Sequence, residues 1–129
     1  MNNTTRKFLL LGTLLMATAV GIGAFGAHGL KKIVTQEMLT IFQTGVQYQF
    51  YHALGLFAVA FIAYLENNKS VKIAGNLMFI GTTIFSGSLY LLVLLNTKWL
   101  GAITPIGGVL MIVSWLLLAG SLLKVKSEK

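Results

Sequence analysis

The chain has 129 residues, of which 56% are hydrophobic and only 10% are charged. A soluble domain carries about 25% charged residues, so this composition excludes an ordinary water-exposed surface and makes lipid the expected solvent. The absence of cysteine excludes disulfides, thiolate metal sites and thiol nucleophiles. The net charge of +7 comes from basic residues spread between apolar runs, which indicates membrane topology rather than nucleic-acid binding.

Four apolar runs without Lys, Arg, Asp or Glu follow one another along the chain: residues 8–27, 46–65, 73–95 and 105–123. A bilayer core of about 30 Å requires about 20 helical residues, and each run is close to that length. Backbone polar groups in lipid must be satisfied within the segment, so helices are the expected structure. The sequence therefore predicts one all-α domain, residues 1–129, that forms a bundle of four transmembrane helices.

The connection between the first two spans has a helical period of its own. Apolar residues recur on one side of residues 35–45, and polar residues occupy the opposite side. Thr35 is a suitable N-cap. We expect a short amphipathic helix in the plane of the membrane interface, with a helical extension of the second span as the alternative. At the start of the fourth span, Thr104 is the expected N-cap and Pro105 the first helical residue.

The basic residues outside the spans predict the orientation. Seven of the ten fall on the side of the two termini: Arg6, Lys7, Lys69, Lys72, Lys124, Lys126 and Lys129. The opposite side has Lys31, Lys32 and Lys98. Both termini are therefore expected in the cytoplasm.

Two histidines are the first candidates for chemistry. His52 lies inside the second span, one turn after Tyr48 and close to Gln49, so it could serve as a proton relay or ligand, or simply bond a neighbouring helix. His28 lies at the outer end of the first span. If the two approached each other they could ligate haem. A structural zinc site needs three or four ligands, so we expect no metal in a single chain.

Small and hydroxyl-bearing residues mark the faces where helices are expected to pack. Ala19, Gly23 and Ala27 repeat every four residues in the first span, and Thr83 stands four residues before Gly87 in the third. Such stripes let backbones approach closely. The third span also contains Ser86 and Tyr90, which leave a polar lumen open as the alternative. Gly107, in the fourth span, is expected at a close contact.

Acidic residues are too few for common catalytic mechanisms. The chain has no Asp, and Glu37, Glu66 and Glu128 all lie outside the spans. This pattern excludes a Ser-His-Asp triad and a pair of intramembrane carboxylates. We therefore expect no catalytic residues, no enzyme activity and no cofactor.

Four segments together resemble a known family: GAFGAHGL (23–30), YQFYHALGL (48–56), FSGSLYLL (85–92) and ITPIGG (103–108). The chain is similar to domain of unknown function family 423, small bacterial membrane proteins related to the eukaryotic transmembrane protein 256 group. The resemblance extends to Trp115. It implies a four-helix protein of the bacterial cytoplasmic membrane, without an established activity. The residues that carry it have no assigned roles: His28, His52, Ser86, Gly87, Tyr90, Pro105 and Gly107.

Three functional hypotheses follow. The first is a non-enzymatic protein that supports membrane integrity or the assembly of other membrane components. The second is an oligomeric transporter or channel lined by His52, Gln49 and the hydroxyls of the third span. The third is a haem, quinone or lipid binding protein with His28 and His52 at its site. Membrane lipid is the expected partner. Self-association and contacts with other membrane proteins remain open, and no nucleic acid is expected.

Overall fold

The computed structural model describes residues 1–125 and consists of four long helices joined by short connections. These are α1 (Asn3–His28), α2 (Gln36–Leu65), α3 (Lys69–Leu95) and α4 (Thr104–Lys124). Short 3-10 helices, Leu30–Lys32 and Lys98–Ala102, precede α2 and α4. All four long helices are apolar enough to cross a membrane, which confirms the predicted fold class. Three charged residues used above, Lys126, Glu128 and Lys129, lie outside the described residues.

Side-chain caps begin three of the four helices. Asn2, Thr35 and Asn68 each accept a hydrogen bond from the backbone N–H three residues later, at 2.7, 3.2 and 3.0 Å, as N-caps do. The expected cap at Thr104 is wrong. Thr104 is already helical and no side chain caps α4, because its hydroxyl is bonded to Ser88 on α3 at 2.5 Å. Left-handed Asn96 (φ 51°) ends α3.

The amphipathic segment is continuous with α2 and does not form a separate helix in the interface plane. Helix α2 runs unbroken for 30 residues, about 45 Å, so its first turns extend beyond a bilayer core of about 30 Å. The apolar side of these turns packs inside the bundle, where Phe42 and Val46 join Leu30, Leu92 and Leu100 in one cluster. Because these partners belong to the protein, the segment stands upright on the bundle.

Consecutive helices pack side by side in an up-and-down arrangement, with α2 and α3 in the centre and α1 and α4 on the flanks. The antiparallel pairing of α1 and α2 is visible at both ends. The side chain of Thr5 bonds the carbonyl of Ala60 at 3.3 Å, and Gly26 faces the ring of Phe42. Since the direction alternates, the start of α1 and the end of α4 lie at the same end of the bundle.

Buried residues on these helices follow a seven-residue period. On α2 eight of the twelve buried residues alternate by three and four positions: Leu39, Phe42, Val46, Gln49, Ala53, Leu56, Ala60 and Ala63. Of the other four, Gly45, His52 and Val59 recur every seventh position. On α4 the buried residues alternate in the same way: Thr104, Gly107, Met111, Ser114, Leu118 and Ser121. This spacing is typical of the left-handed packing of bundles. On α1 the buried small residues recur every seventh position: Thr5, Gly12, Ala19 and Gly26.

The predicted four-residue stripe on α1 is therefore only partly buried. Ala19 is fully buried, and a Cβ at Gly23 would lie 3.2 Å from Val46. Ala27, however, is exposed. A four-residue stripe winds around the helix relative to a neighbour that follows a seven-residue period, so its last member leaves the contact.

Helices α3 and α4 meet backbone to backbone at two glycines. A Cβ at Gly107 would lie 2.5 Å from the backbone nitrogen of Phe85 and 2.6 Å from the carbonyl oxygen of Gly81. A Cβ at Gly81 would lie 2.9 Å from the carbonyl oxygen of Gly107. Any side chain at either position would push the two helices apart, so Gly107 occupies the close contact expected for it.

We therefore predict that Gly107→Ala lowers the stability of the folded protein by about 1–3 kcal/mol, the usual cost of an overpacked contact. Thermal unfolding of the detergent-solubilised protein, followed by far-ultraviolet circular dichroism, measures the effect. Gly120→Ala on the same helix is the control, because a Cβ there would meet no heavy atom within 4 Å. Equal midpoints for the two variants would contradict the close contact.

Candidate functional site

His52 is buried between α2 and α4, and both of its ring nitrogens are hydrogen-bonded. Nε2 lies 3.0 Å from the indole nitrogen of Trp115, and Nδ1 lies 2.9 Å from the carbonyl oxygen of Tyr48. An indole N–H can only donate, so Nε2 must accept. Nδ1 then carries the ring proton and donates it to the carbonyl. The imidazole is therefore neutral, and its single ring lone pair is already used.

Trp115 reaches His52 because α2 has a glycine beside it. A Cβ at Gly55 would lie 2.7 Å from the sulfur of Met78 and 3.0 Å from the indole Cζ2 of Trp115, so a side chain at this position would crowd the indole. Helix α4 packs mainly on α3. The hydrogen bond between His52 and Trp115 is thus a second attachment, which joins α4 to α2.

Gln49 connects three helices through one side chain. Its amide nitrogen donates to the carbonyl of Leu15 at 2.9 Å and to the hydroxyl of Thr18 at 2.7 Å, both on α1. Its amide oxygen accepts from the hydroxyl of Tyr90 on α3 at 2.6 Å. With 4% of its surface exposed, Gln49 has satisfied both amide hydrogens inside the bundle.

Ser86 and Tyr90 hold α3 against the N-terminal half of α2. The hydroxyl of Ser86 donates to the carbonyl of Gly45 at 2.6 Å. The ring of Tyr90 covers Gly45, where a Cβ would lie 2.8 Å from it, and its centroid is 5.1 Å from that of Phe42. Tyr48 stacks on the His52 ring and contacts Phe85. Ser86 and Tyr90 therefore contact α2, and Tyr48 and His52 belong to it.

A further set of polar contacts closes the end of the bundle where the termini lie. The side chain of Asn2 donates to the carbonyl of Ala63 at 3.0 Å, and Lys7 donates to the side chain of Asn76 at 2.7 Å. Asn68 donates to Ser121 at 3.3 Å. These bonds link α1 to α2, α1 to α3, and the cap of α3 to α4.

His28 is far from His52. It is exposed at the last residue of α1. His52 is level with the middle of α1, because its neighbour Gln49 bonds Leu15 and the carbonyl of its neighbour Ala53 is close to Gly12. His52 is therefore level with a point on α1 between Gly12 and Leu15, 13 to 16 residues before His28, or roughly 20–24 Å at the rise of an α-helix. Two histidines at this separation cannot hold one haem iron between them. Within residues 1–125, no three His, Cys, Asp or Glu side chains form a metal-binding group.

A cavity of about 200 Å³ lies halfway along the bundle, between α1 and α3 and against Gln49 of α2. Gly87 lines it, and a Cβ at Gly87 would meet no heavy atom within 4 Å. The expectation that Gly87 makes a close helix contact is therefore wrong, because the neighbouring helix has already diverged at this level.

Sequence patterns did not identify the residues that hydrogen-bond to the polar candidates. Trp115 and Thr18 carry no motif of their own. A signal for Trp115 was nevertheless present, because a tryptophan in the middle of a span needs a partner for its N–H, and His52 was the one imidazole inside a span.

Comparison with known proteins gives a family for this architecture. The family described as "Protein of unknown function (DUF423)" matches residues 22–108. The chain belongs to this family. It is 51% identical over 120 residues to the UPF0382 membrane protein YwdK of Bacillus subtilis. The aligned part covers 92% of this chain and 98% of that protein.

Two staphylococcal relatives extend the comparison. A UPF0382 membrane protein of Staphylococcus saprophyticus is 46% identical over 93% of this chain and 99% of its own length. One from Staphylococcus epidermidis is 47% identical over 92% of this chain and 97% of its own length. No solved structure matches the chain significantly. The chain is thus a membrane protein of a family named for its unknown function.

We predict that Gln49→Leu lowers stability by about 2 kcal/mol, because three interhelical hydrogen bonds of about 0.6 kcal/mol each are lost in the membrane interior. Gln47→Leu is the matched control, since Gln47 is exposed on the same helix. Unfolding midpoints of both variants in the same detergent test this. Similar midpoints would mean that the Gln49 network does not hold the helices together.

Proposed function

We propose that the protein is a non-enzymatic structural component of the bacterial cytoplasmic membrane, acting in membrane integrity or in the assembly of other membrane components. In this proposal the buried polar side chains fix one packing of the four helices and carry neither substrate nor proton. Association with lipid or with neighbouring membrane proteins would use the apolar outer faces of α1 and α4, where Leu14, Val20 and Leu116 are exposed.

The bonding of His52 is the observation that carries the proposal. A histidine relay takes a proton on one nitrogen and releases one from the other. Here one nitrogen faces an indole N–H, which cannot accept a proton, and the other faces a main-chain carbonyl. Neither partner can pass a proton onward, so this geometry favours a structural role for His52.

Burial of the two strongest polar candidates favours the structural role over a channel. A lumen shared between subunits would need His52 and Gln49 on an outer surface, but they are 6% and 4% exposed. Both side chains bond groups of their own chain.

The proposed orientation places both termini in the cytoplasm. The start of α1, the connection after α2 and the end of α4 share one end of the bundle. That end carries Arg6, Lys7, Lys69, Lys72 and Lys124, against Lys31, Lys32 and Lys98 at the other. Short cytoplasmic connections carry the excess of basic residues.

A double-mutant cycle tests the structural role of His52. We expect Trp115→Phe to lower stability by about 1 kcal/mol through the loss of its hydrogen bond. The single variant His52→Ala should lose more stability than Trp115→Phe. The double variant should lose less than the sum, with a coupling of about 0.5–1 kcal/mol for the shared bond. Thermal unfolding in detergent measures all three.

Trp99→Phe is the control for the cycle, because Trp99 is 67% exposed and its replacement should leave the midpoint unchanged. Strict additivity of His52→Ala and Trp115→Phe would contradict the bond on which the proposal depends.

Proton flux separates the structural role from transport. We expect liposomes containing the wild-type protein to show no more proton flux than protein-free liposomes, measured with a trapped pH-sensitive dye under an imposed potential. Trp115→Phe and His52→Ala liposomes should behave alike. A wild-type flux that disappears in His52→Ala would overturn the proposal.

A further inference from the structure

A cavity of about 370 Å³ lies at the end of the bundle opposite the termini, between the start of α2 and the end of α3. Six of its eight lining residues are apolar, and two of these, Ile33 and Leu94, are 76% and 54% exposed. The cavity is therefore open to its surroundings. Because the apolar run of α3 ends at Leu95 and exposed Trp99 follows, the cavity lies where the hydrocarbon core meets the membrane surface. We call it the outer crevice.

Three lysines flank the outer crevice. Lys31 and Lys32 stand in the chain between two residues that line it, and Lys98 comes two residues after a third, Asn96. The two 3-10 helices that carry these lysines each contribute a leucine to one apolar cluster, which holds them at the same end of the bundle. All three lysines are exposed. Among residues 1–125, one acidic residue, Glu37, lies at this end, so the surroundings of the crevice are positive.

Membrane topology gives no reason for these lysines. In the proposed orientation they lie on the outer side, where short connections carry few basic residues. Lys31 and Lys32 follow α1 almost directly, at a position where positive charge opposes that orientation. Lysines that oppose the topological bias need another reason, and an anion at the outer membrane surface supplies one.

The two helices that border the outer crevice favour an anion on the α2 side. Thr35 caps α2 and lines the crevice, so the positive end of the α2 dipole lies at its wall. Helix α3 ends at Asn96 on the other wall and presents the negative end of its dipole there. A phosphate is therefore expected beside Lys31, Lys32 and the start of α2.

We propose that the outer crevice binds an anionic phospholipid of the surrounding bilayer, with part of an acyl chain against its apolar walls and the phosphate beside Lys31 and Lys32. The volume of the crevice is within the range of small-molecule sites, about 300–1,000 Å³. A free phosphate would use the lysines and leave the apolar walls in water, and an uncharged lipid would leave the lysines unused. An anionic phospholipid uses both. This site adds to the proposed structural role and does not depend on it.

Thermal unfolding of the full chain in a non-ionic detergent tests the proposal. A ligand that binds only the folded state raises the unfolding midpoint as its concentration rises, which gives an apparent affinity. The probe is dioctanoyl phosphatidylglycerol. We expect Lys31→Gln, Lys32→Gln and Lys98→Gln, combined in one variant, to weaken its binding at least about tenfold, because each lysine close to an anionic lipid contributes about fivefold.

The matched control removes three lysines at the other end of the bundle. Lys69, Lys72 and Lys124 are exposed there, and their combined replacement by Gln removes the same charge. This variant should bind the probe as the wild type does. The midpoint of each triple variant without lipid shows that it is folded.

Two neighbouring leucines test the apolar wall. Leu94 lines the crevice, whereas Leu95, which is 62% exposed at the same level, does not. Leu94→Ser should weaken binding of the probe about fourfold, the effect of leaving one methylene in water. Leu95→Ser should leave the affinity unchanged.

Two further probes test which part of the lipid is recognised. Dioctanoyl phosphatidylcholine should bind at least about tenfold more weakly than the phosphatidylglycerol, because its choline offsets the phosphate charge. Glycerol phosphate, a head group without chains, should not shift the midpoint at the same concentration.

Four results would overturn the proposal: equal binding by the two triple variants, equal binding by the two serine variants, phosphatidylcholine binding as tightly as phosphatidylglycerol, or an equal midpoint shift with glycerol phosphate. None of them would affect the cycle between His52 and Trp115. Failure of the lipid site and failure of the structural role are therefore separate outcomes.

Discussion

Lipid is a solvent that neither drives apolar helices together nor competes for their hydrogen bonds, and the rest of this structure depends on that constraint. Association must then come from close backbone approach and from polar side chains that reach across. The two are coupled in this chain. Gly81 and Gly107 bring α3 against α4, and Gly45 lets Tyr90 lie against α2, close to the Ser86 bond. The hydrogen bonds can form because the glycines have brought the backbones close enough.

One turn of α2 serves as the junction of the bundle. Gln49 bonds α1 and α3, and three residues later His52 bonds α4. Both flanking helices are therefore attached at nearly the same level, halfway along α2 and away from both ends of the bundle, where an unsatisfied polar group would be costly. An alternative packing would have to abandon several of these bonds together, so the junction selects one arrangement of the four helices.

Sequence patterns predicted the four spans well because composition alone decides which segments dissolve in lipid. Their ends were less accurate, since caps such as Asn2 and Asn68 lie beyond the apolar runs. The packing faces were harder still. Ala27 fits a four-residue stripe but is exposed, while Gly12 and Gly26 fit the seven-residue period that the bundle uses. The partner of His52 could not be read from spacing, because Trp115 stands 63 positions away and the glycine contact with α3 decides which face of α4 it occupies.

The segments that look most like functional motifs are largely explained by helix contacts. His52 in YQFYHALGL bonds Trp115, Ser86 in FSGSLYLL bonds Gly45, and Gly107 in ITPIGG touches Gly81. Gly87 is the exception. A glycine inside a helix costs about 1 kcal/mol relative to alanine, and here no neighbouring atom requires its small size. Packing therefore gives no reason for glycine at this position.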